Sequence, residues 1–256
     1  MRADQLMLAR GLAPTRSAAQ RLIAGGAAQW RSPRGWLVCA KAGEDLAADA
    51  ELRITDDAEL RWVSRGGLKL AGALDRVAFD VTGLTCLDAG QSTGGFTDVL
   101  LARGAARVVG FDVGHGQLHA RLRSDARVVA LEGMHVRELD GSPLAAHAPQ
   151  GGFDLIVADL AFISLAGALP QLAPWLKPGG FALLLAKPQF EVGRGHVGKG
   201  GLVRDAAQIA RVESIFREAC AGVQWTVLDY FASPITGGDG NPEFFVFAQA
   251  QTVEPT

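Results

Sequence analysis

Cysteine is scarce in this chain. Its 256 residues include three, Cys39, Cys86 and Cys220, an odd number set far apart. They give no disulfide framework and no metal-ligand spacing, and they point to a reducing cytoplasm. Long apolar runs are missing too. No stretch approaches the ~20 residues that cross a bilayer, and the opening MRADQLMLARG lacks the apolar core of a secretory signal. A soluble protein with no membrane contact and no metal is the expectation. Net charge is only −2, so the total argues neither for nor against a polyanionic partner. No internal repeat is visible, and only the tail QTVEPT reads as disordered.

With 48% hydrophobic and 20% charged residues, the composition builds a sizeable core. The length suits one large domain plus a small one, or two modest ones. Charge is unevenly spread. Residues 1–41 carry seven Lys/Arg against one acid, whereas the remainder carries 18 basic and 26 acidic residues. A basic head on an acidic body fits a phosphate-meeting module joined to one that does not meet phosphates, although a solvated basic face has the same pattern.

The head, RADQLMLARGLAPTRSAAQRLIAGGAA, holds two helical patterns. Asp4 is placed to cap the first, with Leu6, Leu8 and Leu12 on its apolar face and Gly11 near its end. Thr15 is placed to cap the second, which carries Ala18, Ala19, Leu22 and Ile23 and stops at Gly25-Gly26. Arg16 and Gln20 share a face of that helix by their spacing. Strand-like WLVC and ELRIT follow, separated by the acidic turn GEDLAAD. Residues Thr15, Arg16, Ser17, Ala19, Gln20, Arg21, Leu22, Ile23 and Gly25 resemble the SR..AQ.LI..G stretch of the alpha-L RNA-binding domain, the fold of ribosomal protein S-four. The resemblance covers residues 1–60, with 61–65 as a linker and 66–256 as the second domain. Where that family has a short V-N-G turn, this chain has QWRSPRGW, which reads as a longer turn able to offer an indole for base stacking.

From RWVSRGGLKL onward, strands and helices alternate. Strands are predicted at LTCLDA, RVVGFD, RVVAL, FDLIVAD, GFALLLAK, WTVLDYF and EFFVFAQA, and helices at about 94–103, 115–123, 163–176 and 204–220. The fold class expected is α/β: a mostly parallel Rossmann-like sheet with its last strand antiparallel, behind a small α+β head.

LDAGQSTGGFTDVLLARGA runs strand, glycine turn, helix. Ser92 stands where a dinucleotide fingerprint has its second glycine. Asp88 precedes the turn, and Asp112 ends the next strand, where an acid accepts hydrogen bonds from ribose hydroxyls. That set suits S-adenosylmethionine; NAD and a plain tight turn stay open on the loop alone. A second glycine loop, GRGHVGKGG, satisfies G-x-x-x-x-G-K, yet Gly200 replaces the Ser/Thr that holds magnesium, which rejects a nucleotide triphosphatase. Its Arg194, His196, Lys199 and the following Arg204 fit a clamp on a phosphate backbone, or a merely flexible loop.

Strand ends supply the remaining chemistry. Asp159 follows the fourth strand and Lys187 the fifth, at the carboxyl edge where open α/β sheets bind ligands. An antiparallel last strand brings Glu243 to that edge, and Lys69 lies on the segment leading into the first strand. Singly, each reads equally well as a cap or surface residue; together they make a site of two ammonium and two carboxylate groups.

SRGGLKL, LDAGQSTGGFTD, DVGHGQL, DLAFISL, KPQFEVGR..VGKGG.VRD and SPI.G..GN.EF together resemble the TlyA ribosomal RNA 2′-O-methyltransferases, a group of FtsJ-type enzymes also carrying the name hemolysin. The resemblance implies a Lys-Asp-Lys-Glu tetrad on Lys69, Asp159, Lys187 and Glu243. It also implies S-adenosylmethionine as cofactor and methylation of cytidine ribose in ribosomal RNA of the small or large subunit. On this reading the cofactor residues are Asp88, Gly90, Ser92, Thr93, Gly94, Gly95, Phe96, Asp112, Val113, Gln117, Met134, His135 and Asp159. RNA-contacting candidates are Arg2, Arg16, Ser17, Gln20, Arg21, Arg65, Arg194, Lys199 and Arg204. Lys187 is assigned as general base, Lys69 and Asp159 as groups orienting the hydroxyl, and Glu243 as the holder of a lysine. The chain departs from the family at Ala89 (usually Val), in RAD for the opening RLD, and in EGMHVR where E.TN.R.L is usual. A catalytically idle RNA-binding assembly factor, a membrane-active hemolysin and a small-molecule methyltransferase are the competing classes.

Overall fold

A computed structural model describes residues 1–55, 60–237 and 240–252. Residues 56–59 of the head, Gly238 and Asp239 of the SPI.G..GN.EF motif and the 253–256 part of the tail lie outside the described residues. The chain divides into two compact units, Met1–Arg65 and Gly66–Thr256. Of the stretch expected as a linker, 61–64 is irregular and Arg65 already opens a helix.

The first unit contains α1 (Ala3–Ala9), α2 (Arg16–Ala24) and three strands, β1 (Ala28–Ser32), β2 (Gly35–Val38) and β3 (Leu52–Ile54). The strands form an antiparallel sheet in the order β2-β1-β3. Leu6, Met7, Ala19, Leu22, Ile23 and Ala28 build its core. Thr15 Oγ1 accepts from the Ala18 N–H at 3.1 Å, as its capping position requires. Leu8 is exposed rather than part of the apolar face. QWRSPRGW forms a hairpin instead of a long turn: Ser32 pairs with Gly35, so Pro33 and Arg34 alone make the turn.

Asp4 also departs from the expectation. Arg2 occupies the cap position of α1, and Asp4 lies inside the helix with no exposed surface. Arg2 Nε donates to its Oδ1 at 3.0 Å, while Arg16 Nε and Gln20 Nε2 both donate to Oδ2 at 2.8 Å. An ionised carboxylate in a core needs such partners, so the shared face of Arg16 and Gln20 serves the fold.

The second unit is a seven-stranded sheet flanked by helices. Its elements are α3 (Arg65–Val77), β4 (Thr85–Ala89), α4 (Gly95–Ala102), β5 (Arg107–Asp112), α5 (Ala120–Arg123), β6 (Val128–Glu132), β7 (Phe153–Ala158), α6 (Leu169–Leu172), β8 (Leu176–Ala186), α7 (Pro188–Glu191), α8 (Ala206–Gly222), β9 (Trp225–Ala232) and β10 (Phe244–Ala250). The strand order is β6-β5-β4-β7-β8-β10-β9. Strands β4 to β8 run parallel, and β10 enters antiparallel between β8 and β9. Leu87, Ile156, Leu184, Val246 and Phe216 share one buried cluster. The order reverses direction between β4 and β7, and ligands bind at the carboxyl ends beside such a switch.

Two predicted helices are shorter than the pattern implied. Only Ala120–Arg123 is helical within 115–123, because Gly116 takes φ +66° and the preceding residues line a cleft. The 163–176 stretch breaks into three short turns, two of which begin around Pro170 and Pro174. A proline has no N–H with which to continue a helix.

Hydrogen bonds from Arg2, Gln20 and Arg16 hold the Asp4 carboxyl far below the usual carboxylate range. A carboxyl depressed in the folded state contributes stability that is fully present above its unfolded pKa of ~3.9 and disappears as pH falls below it. Asp4→Asn is expected to cost about 2–3 kcal/mol at pH 7 and to flatten the acid limb below about pH 4, read by urea unfolding of both proteins across pH 3–7.

Candidate active site

The loop between β4 and α4 forms one wall of a cleft. Gly90 has φ +84°, and a Cβ there would lie 2.5 Å from the Asp159 backbone oxygen. Glycine is therefore required both by conformation and by close approach. Ser92 has φ +46°, a left-handed backbone that glycine normally fills. Two bonds hold it there: its N–H donates to Asp112 Oδ2 at 2.9 Å, and its hydroxyl donates to Gln117 Oε1 at 3.2 Å. Below the loop Asp88 is fully buried and accepts from the N–H and hydroxyl of Thr97 at 3.0 and 2.7 Å. Burial pushes its carboxyl up to about 7, against the opposing pull of the Thr97 bonds. The Gln91 amide donates to the same Thr97 hydroxyl at 2.9 Å, in space left by the missing side chain of Gly110.

The cleft, about 540 Å³, is lined by residues that follow β4, β5, β6, β7 and β8. Gly90, Ser92, Asp112, Val113, Gln117, Met134, His135 and Asp159 of the predicted cofactor set line it. Asp88, Thr93, Gly94, Gly95 and Phe96 do not; they shape the loop and the start of α4 from behind. Asp112 Oδ1 accepts from the Gly114 N–H at 2.7 Å, and each carboxylate oxygen keeps a further lone pair for a ligand hydroxyl. Phe111, Met134, Val136, Leu160 and Ile163 supply apolar surface. The volume, an acid at the end of the second strand and an apolar slot for a flat ring fit S-adenosylmethionine. The EGMHVR departure is accommodated locally. Gly133 leaves room for the His115 ring, whose Nε2 would lie 2.5 Å from a Cβ there.

The three strand-end residues and Lys69 of α3 form two ion pairs, of which Lys187–Asp159 lines the cleft. Lys187 Nζ lies 2.5 Å from Asp159 Oδ1, and Lys69 Nζ lies 2.6 Å from Glu243 Oε2. Both lysines are close to buried, with side chains 12% and 11% exposed. Lys187 and Asp159 face the cleft. Glu243 directly precedes β10, whose first residue, Phe244, pairs with Ala186 beside Lys187. Lys69 sits on α3 one turn before Gly72, where a Cβ would lie 2.8 Å from the Pro234 ring. That close approach seats the helix against the segment between β9 and β10.

Several residues at the site carried no sequence signal of their own. Phe162 is 87% exposed at the cleft, takes φ +67° and has its ring centroid 5.7 Å from that of Phe190. Its loop is anchored by Glu191, which accepts from the Ser164 hydroxyl at 2.6 Å and the Leu165 N–H at 2.7 Å. Burial raises the Glu191 carboxyl, against those bonds. DLAFISL and KPQFE are thus locked together. Asn241, fully buried, accepts from the Val203 N–H at 3.0 Å and donates to the Gly201 carbonyl at 2.9 Å. It ties the second glycine loop to the segment that leads into β10.

The predicted RNA contacts are scattered. Arg194, Lys199 and Arg204 are exposed around that glycine loop, which forms two short turns. Arg2, Arg16 and Gln20 are committed to Asp4, Ser17 is exposed, and Arg21 and Arg65 are half-buried.

The FtsJ-like methyltransferase family matches residues 62–250. The chain is 43% identical to the 16S/23S rRNA (cytidine-2′-O)-methyltransferase TlyA of Mycobacterium tuberculosis, over 98% of this chain and 90% of that one. It is 34% identical to the 23S rRNA (cytidine-2′-O)-methyltransferase TlyA of Campylobacter jejuni, over 80% and 77%. A solved structure from Streptococcus thermophilus that carries the hemolysin name superposes with a TM-score of 0.74 at 36% identity, covering 98% of this chain and 88% of that one. With its cleft, its two ion pairs and these relatives, the chain belongs to the FtsJ-like methyltransferase family, in its TlyA branch.

Proposed function

We propose that this protein transfers a methyl group from S-adenosylmethionine to the 2′-hydroxyl of a cytidine ribose in ribosomal RNA of the small or large subunit. The observation that carries the reading is the Lys187–Asp159 contact in the lining of a cleft shaped for that cofactor, with the Lys69–Glu243 pair brought to the same sheet edge by the pairing of Phe244 with Ala186. When bound, S-adenosylmethionine would supply an electrophilic methyl, its sulfur keeping the electron pair of the broken sulfur–carbon bond and the ribose oxygen receiving the carbon. The chain's own residues position the hydroxyl and receive its proton. Lys187 Nζ is the acceptor after it has given up its own ammonium proton, since only the amine has a lone pair to offer, with Asp159 fixing that nitrogen at the cleft. Glu243 fixes Lys69, which orients the hydroxyl from the other side. Holding nucleophile and acceptor in one geometry supplies much of the acceleration, and proton transfer adds on the order of 10²–10⁴-fold.

Asp112 and the β4–α4 loop would hold the cofactor's ribose. The exposed ring of Phe162 gives the target base a stacking surface beside the cleft. Arg194, Lys199 and Arg204 support the reading as contacts to the phosphate backbone near the target. Among the described residues no group of His, Cys, Asp or Glu has the geometry to hold a metal, and no helix is long and apolar enough to cross a membrane.

Lys187→Ala is expected to lower methyl transfer to ribosomal subunits by about 10²–10⁴-fold while calorimetry finds cofactor affinity nearly unchanged. Tritium transfer from labelled cofactor at the parent rate would overturn the assignment. A parent protein that binds ribosomal RNA yet transfers no label would instead favour the idle assembly factor.

Phe162→Ala is expected to weaken productive RNA binding by roughly fivefold or more, from the loss of ~1–3 kcal/mol of stacking. Steady-state kinetics with subunits as the varied substrate would read this as a raised KM, with cofactor affinity close to the parent's.

A further inference from the structure

We propose that the outward face of the β1–β3 sheet, built on Arg31, Trp36 and Arg53, is a grip for an unpaired stretch of RNA. The proposal rests on the reading that the partner is RNA and adds where the head holds it. Strand register decides which side chains share that face. Arg31 lies opposite Trp36, and Gln29 opposite both Val38 and Arg53. Directly opposed residues of an antiparallel pair point the same way. Trp30 and Leu52, the alternate positions, pack on the core instead. Of the two tryptophans in QWRSPRGW, only Trp36 therefore belongs to this surface.

The surface is pre-organised. The Arg53 guanidinium carbon lies 4.3 Å from the centroid of the Trp36 ring, and that of Arg31 lies 5.6 Å from it. Gln29 Oε1 accepts from both Arg53 Nε and Nη2, at 3.0 and 2.7 Å. One neutral oxygen thus fixes the guanidinium over the indole without cancelling its charge. Arg2 and Arg16, in contrast, spend theirs on the buried carboxylate of Asp4. Among the described residues no carboxylate lies within ion-pair distance of Arg31 or Arg53. Glu51 stands beside Arg31, since the Arg31 N–H donates to its carbonyl. Among the described residues the face therefore carries two guanidiniums and one acid, with exposed Arg34 in the adjoining turn.

A guanidinium held over an indole offers two things to a nucleic acid. Its plane accepts a further flat ring, and its free N–H edge takes a phosphate. Bases are available for stacking only where RNA is unpaired, which selects a loop or single strand over a duplex. Val38, 49% exposed, extends the surface on the apolar side.

The test uses the full-length protein, a labelled 15-nucleotide single-stranded RNA of mixed sequence, and ribosomal subunits. The double variant R31Q/R53Q is expected to bind the oligonucleotide at least tenfold more weakly, with a salt slope smaller by ~1.4, as two lost phosphate contacts imply. R53K, which keeps the charge but not the flat fork, should retain most of the slope and lose part of the affinity. Trp36→Ala should weaken binding by roughly fivefold or more, and W36F by less. Melting temperature and cofactor affinity of the double variant should match the parent's. Parent-like affinity and salt slope in the double variant would overturn the proposal, as would a parent that binds no RNA. If the double variant methylates subunits with the parent's KM, this surface is wrong and the activity stands. If the parent grips RNA here but transfers no methyl group, the surface is right and the activity reading fails.

Discussion

The antiparallel entry of β10 between β8 and β9 is the constraint on which the catalytic edge depends. A parallel last strand would deliver Glu243 to the far end of the sheet. Because β10 runs backwards, its start meets the end of β8, with Phe244 opposite Ala186, and Glu243 arrives beside Lys187. The four charged groups then balance in sign, two ammonium and two carboxylate, in surroundings that solvate charge poorly. Removing any one leaves its partner uncompensated, which in a nearly dry site costs more than a surface pair is worth. The set is therefore held together by electrostatic necessity as well as by the reaction.

Two buried carboxylates in this protein meet the same problem in different ways. Asp4 is surrounded by two guanidiniums and an amide, which favour its charged form. Asp88 has only the Thr97 hydroxyl and N–H, so burial dominates and its carboxyl moves up to about 7. The first makes an ionic knot for a small core. The second is a weakly charged peg under the cofactor loop, and Gln91 restricts the hydroxyl that it holds.

Much of the second unit was legible because its signals are local: apolar runs ending in Asp, Lys or Gly mark parallel strands and the turns after them. The glycine loop, Asp112, Asp159, Lys187 and Glu243 all sit at strand ends that periodicity locates. What sequence reasoning missed arises from partners far apart in the chain. Asp4 looks like a cap until Arg16 and Gln20 are seen to reach it. Phe162 resembles any loop phenylalanine until its backbone turns left-handed and Glu191 pins the residues after it. Asn241 stands out only as part of a motif; its link to Gly201 and Val203 is tertiary. The hairpin of β1 and β2 was hidden because Pro33 and the two arginines make a two-residue turn look like a long loop.

The left-handed conformation of Phe162 has an implication for how this protein can change. A bulky side chain at φ +67° stores strain of about 1–3 kcal/mol, and its ring is left largely in water. Glycine or asparagine would relieve the backbone at once. Selection for folding alone would thus drift away from phenylalanine at this position, and a benefit gained outside the fold of the chain is what keeps it there. Variants recovered for thermal robustness are accordingly a poor guide to this loop, since the changes they favour are those that blunt the mouth of the cleft.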